Sequence, residues 1–142
     1  MRLPAYGICS PCWLVRVIDA DTIVVRLDEQ MGQKLPPVRL IDCWAAETRG
    51  PQKILGLPAK QYAEALLESA GQLSLQIPDE VLRDKKTGVL NAMGMLGAFN
   101  RLLGNVFLDS ETTLAEKLIE AKHAFETKEE LYAHLRSKGI DV

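Results

Sequence analysis

The sequence predicts an α+β fold that is mainly β: a five-stranded barrel with one helix between its third and fourth strands and two helices at the C-terminal end. Three observations carry this expectation. Apolar residues recur with a period of two up to Trp44, the period changes to 3.6 after Pro58 and again after Thr113, and two short alternating runs lie between those helical stretches. With 142 residues, 47% of them apolar, the chain suits one compact domain, 1–142, with a proper core.

The elements follow in order. Trp13, Val15 and Val17 alternate with Leu14, Arg16 and Ile18 as a first strand, and Thr22 to Leu27 reads as a second, across a tight Asp19-Ala20-Asp21 link. A polar connection rich in turn formers, Asp28 to Pro37, leads to a third strand, Val38 to Trp44, with Glu47 just past its end. Pro58 suits the first turn of a helix running Ala59 to Ala70, with Tyr62, Leu66 and Ala70 on one face, Glu64 and Glu68 away from it, and Gly71 as its stop. Leu73 to Ile77 alternates as a fourth strand and Leu102 to Leu108 forms the fifth. The long connection Pro78 to Gly97, carrying Arg83-Asp84-Lys85-Lys86, joins them and is a candidate ligand-contacting loop. Thr113 and Thr127 each precede a glutamate, Glu116 and Glu130, by three residues, the spacing of a capping box at the start of each terminal helix. This order is that of an OB-type barrel, partly open and flanked by helices.

Charge and cysteine usage exclude several classes. A net charge of −2 and a pI near 5.7 argue against a sequence-independent grip on duplex DNA, which relies on many cationic contacts releasing counterions. No span approaches the roughly 20 apolar residues of a membrane helix. The first residues lack the unbroken apolar core of a secretory signal, so a cytoplasmic location is expected. Three cysteines make no disulfide framework. Cys9-Ser10-Pro11-Cys12 has redox or metal-knuckle spacing, but no second pair accompanies it to complete a zinc site, and His123 and His134 fall on helical stretches as solvated residues.

Chemistry concentrates in one set of residues. Asp19 and Asp21, two apart, have the spacing to hold a hard cation; Glu47 could take a proton from water; Arg39, eight residues before Glu47, and Arg101 could grip a phosphate. Plainer readings stay open, with the aspartates as turn formers and the arginines as outward strand residues.

These residues carry a resemblance. Val17-Ile18-Asp19-Ala20-Asp21-Thr22, then Val38-Arg39-Leu40 leading to Ala46-Glu47-Thr48, then Phe99-Asn100-Arg101 ahead of Leu103-Gly104-Asn105-Val106-Phe107, together resemble, in order and spacing over about residues 13–125, the staphylococcal nuclease (thermonuclease) family. The resemblance implies an OB-type barrel that hydrolyses DNA and RNA with calcium, magnesium or manganese being alternative ions. It makes Asp21 a direct metal ligand, Asp19 a supporting acid, Glu47 the general base, and Arg39 and Arg101 the groups on the scissile phosphate. Phe99, where the family often has tyrosine, is expected to stack a base or ribose, or else to sit at the barrel rim.

The departures from that pattern are specific. Aligned without a gap, the family's second metal-binding aspartate falls on Trp44, its neighbouring threonine on Ala45 and its proline on Ala46. Calcium takes six to eight oxygens, so losing a carboxylate weakens the site. Asp42 is a candidate replacement, since residues two apart on a strand share a face and Asp42 therefore projects on the same side as Trp44. The leading expectation is thus a calcium-dependent phosphodiesterase acting on single-stranded DNA or RNA, with a weakened metal site. The alternative is a nuclease-like module that binds nucleic acid without cleaving it, with Trp44 as a stacking platform. A protein-interaction domain built on the two C-terminal helices is a third class.

Overall fold

The computed structural model describes residues 7–27, 36–78, 96–97 and 101–141, with the backbone alone for residues 7, 8, 96, 97 and 101. Its strands are β1 (Gly7–Asp19), β2 (Thr22–Arg26), β3 (Val38–Leu40), β4 (Leu73–Pro78), β5 (Leu96–Gly97) and β6 (Arg101–Phe107). Its helices are α1 (Lys53–Ser69), α2 (Leu114–Glu120) and α3 (Lys128–Ser137), with a short 3-10 turn, Gly50–Gln52, leading into α1.

Five of the strands close a barrel, as the sequence predicts, in the order β3-β2-β1-β4-β6, with a parallel β3–β6 pairing joining the ends. The two-residue β5 adds only a short antiparallel pairing with β6. β1 is longer than the expected Trp13–Ile18 because it serves both halves of the barrel. Its first part, Gly7 to Cys12, pairs with β4, and Trp13 to Asp19 pairs with β2. Register shifts at Leu14/Arg16 and Val17/Asp19 supply the extra bend that lets one strand turn the corner. At the closure the barrel is narrow: a Cβ at Gly104 would lie 2.8 Å from the Gln76 carbonyl oxygen, so a side chain there would force β4 and β6 apart.

Two expected elements differ in ways that matter for the site. The third strand stops at Leu40 instead of reaching Trp44, because the chain turns at Ile41-Asp42 and Asp42 takes a left-handed backbone, φ 49°. The shared-face argument for Asp42 and Trp44 therefore fails, since it needs a continuous strand. The first helix begins at Lys53, not at Pro58, and Pro58 stands inside it. Its buried stripe is Gly56, Ala59, Ala63 and Leu67, with Tyr62, Leu66 and Ala70 packed along the flank. Small residues let this helix approach closely: a Cβ at Gly56 would stand only 1.9 Å from the Glu47 carbonyl oxygen.

Both threonine caps are present. Thr113 Oγ1 accepts from the Glu116 N–H and Thr127 Oγ1 from the Glu130 N–H. His123 lies in the turn after α2, where it packs against Tyr62, and not on a helix. The main core fills the barrel beneath α1 and α2, while a second cluster of Ala46, Leu131 and Leu135, flanked by Trp44 and Phe125, seats α3. Among the described residues, no helix is long and apolar enough to cross a membrane.

Candidate functional site

The β1–β2 turn and the segment 40–48 meet at one end of the barrel, and two aspartates hold them together. The Asp21 carbonyl accepts from the Leu40 N–H at 2.9 Å and its Oδ2 from the Ala45 N–H at 2.8 Å, so one residue grips both ends of the turn after β3. Its Oδ1 accepts from the Thr22 hydroxyl at 3.0 Å. Asp19, half-buried, accepts through Oδ1 from the Thr48 N–H and hydroxyl, both at 2.9 Å. Glu47 is exposed between these anchors, and its N–H donates to Gln52 Oε1 at 3.0 Å.

Arg39 is buried in the same place. Its Nη1 donates to the carbonyls of Leu40, at 2.7 Å, and Cys43, and its Nη2 lies 3.8 Å from Asp21 Oδ2. Leu40 and Cys43 are buried, so their carbonyls must be satisfied within the protein, and a guanidinium with five donors suits that task. Burial raises the Asp21 carboxyl above its ordinary value, against the opposing pulls of Arg39, the Ala45 N–H and the Thr22 hydroxyl. Burial also pushes the Cys43 thiol up to about 12, which makes it an inert core residue.

Of the other candidates, Asp42 lies elsewhere. Asp42 is exposed and lines a separate groove with Gln76 and Asn105, whose rim also carries Glu116 and Glu126. Arg101 opens β6 two residues before Leu103, the register partner of Arg39. Phe99 and the Arg83–Lys86 stretch lie outside the described residues. Asp21, Asp19, Arg39 and the Glu47 segment therefore share one locality, while Asp42 belongs to another. Calcium needs six to eight oxygens, and no group of three or more His, Cys, Asp or Glu able to hold a metal occurs among the described residues. Of the two aspartates, Asp21 is engaged by the turn after β3 and Asp19 by Thr48.

Where a second acid was expected, Trp44 forms the centre of a stack. The Arg39 guanidinium carbon lies 4.2 Å from its ring centroid, and Lys128 Nζ lies 5.9 Å from the same ring and 5.3 Å from that of Tyr132. Trp44 is fixed there by a backbone bridge, its N–H donating to the Phe125 carbonyl at 2.7 Å and the Phe125 N–H returning at 2.9 Å. Sequence reasoning named Arg39 and Trp44 but missed Lys128 and Tyr132, since nothing local ties α3 to the barrel mouth. The Thr48 anchor was missed too, although its place beside Glu47 offered a signal. No model of a known protein family matches the chain, and no curated protein matches it significantly.

Proposed function

We propose that this chain is a nuclease-like barrel that holds single-stranded nucleic acid without cutting it. The observation that carries the reading is the alternation of cation and ring, Arg39, Trp44, Lys128, Tyr132, at the end of the barrel where the thermonuclease-like pattern would place a metal. Aromatic faces take unstacked bases regardless of sequence, and the exposed Lys128 supplies a local positive charge for a phosphate. Support for the loss of cutting comes from Asp21 and Arg39, the two groups most needed for metal and phosphate, which are both spent on the turn after β3.

The test is fluorescence anisotropy with labelled single-stranded DNA and RNA in a chelator. Binding should persist, Trp44→Ala should weaken it by about 1–3 kcal/mol, and the exposed Lys128→Gln should weaken it while leaving the fold unchanged. Absence of binding by the wild-type chain sinks the proposal. Cleavage stimulated by calcium, magnesium or manganese, and lost in Glu47→Gln, would replace it with the hydrolytic reading in which Glu47 is the base.

A further inference from the structure

A cavity of about 260 Å³ lies between α1, α3 and the turn after α2. Its apolar lining includes Leu55, Phe125 and Leu131, and its polar lining is Lys122, His123, His134 and Lys138, with no carboxylate. Such a lining is unexpected in a chain with 19 acids against 17 bases. Neither lysine forms an ion pair among the described residues. The two imidazoles are held by rings, His123 against Tyr62 at 4.8 Å and His134 against Phe125 at 5.0 Å. Lys122 has φ 62° directly after the α2 cap, a position that favours glycine, so a cation is kept at the cavity at a cost in backbone strain.

From this lining we infer a binding site for a small organic anion, a carboxylate or phosphate monoester on a compact apolar body. The apolar walls would take the body and the lysine and imidazole N–H groups the head. The volume is below the usual range for drug-sized ligands and suits a single ring. The site does not involve Trp44 or Lys128, so it stands or falls separately from nucleic-acid binding.

Calorimetry on the whole chain with benzoate, phenyl phosphate and the neutral benzamide tests it. Saturable binding of either anion, about tenfold or more tighter than benzamide, is expected, and the better anion identifies the head group. Lys122→Gly and Lys138→Gln should each weaken that binding about tenfold. Thermal stability of Lys122→Gly should hold or rise, because glycine relieves the positive φ. No saturable binding of either anion, binding of benzamide as tight as theirs, or affinity unchanged in both variants overturns the inference.

Discussion

Asp21 has 6% of its surface exposed, and its carbonyl and carboxylate together hold the turn after β3. Its proximity to Arg39 was legible from the spacing of charged residues around apolar runs. What the spacing could not show is that both groups turn inward to satisfy the buried backbone groups of Leu40, Cys43 and Ala45, a demand that exists only once the turn is folded. The consequence is a pH dependence. A carboxyl raised on folding holds its proton more tightly folded than unfolded, so its contribution to stability is fullest below the unfolded-state value, near 3.8. That contribution declines as pH rises from there through the raised, folded-state value. The stability of the wild type relative to Asp21→Asn should therefore fall as pH increases, as read by urea unfolding between about pH 3.5 and 7. A difference that grows with pH would mean that attraction to Arg39 outweighs burial. Asp42 illustrates the opposite case, since a single left-handed residue after Leu40 broke the alternation on which its assignment depended.

The elements were legible where a local period or cap specifies them, and obscure where tertiary contact decides. Thr113 and Thr127 mark helix starts through a purely local bond, so α2 and α3 could be found from sequence. The start of α1 could not, because Pro58 argues for a beginning and only docking on residues 46–47 favours the earlier turn from Lys53. Gly56 is the contact that makes this docking possible. Replacing it with alanine puts a methyl group into the Glu47 carbonyl, which is backbone and cannot swing aside. Gly56→Ala should destabilise the chain by about 1–3 kcal/mol in denaturant unfolding, despite alanine's better helix propensity. A neutral or stabilising result would show that α1 is free to stand off from the 46–47 segment, and that Glu47 is not held as described.

Across the whole molecule, charge and architecture pull in different directions. A five-stranded barrel with a ring-and-cation stack at its end suits single strands, yet the chain is acidic overall, so long-range attraction to a polyanion is unavailable. On the proposed reading, binding would rest on stacking with few phosphate contacts. For single strands the slope of log K against log salt is about −0.7 for each phosphate neutralised. If Lys128 is the only contributor, the slope should be about −0.7, and Lys128→Gln should bring it close to zero. Trp44→Ala should lower affinity at every salt concentration with the slope unchanged, because stacking releases no counterions. The pair of variants thus separates the two terms. A wild-type slope steeper than about −3.5, corresponding to five or more phosphates, would place the main contacts on a basic surface elsewhere and remove the stack from the centre of the binding site.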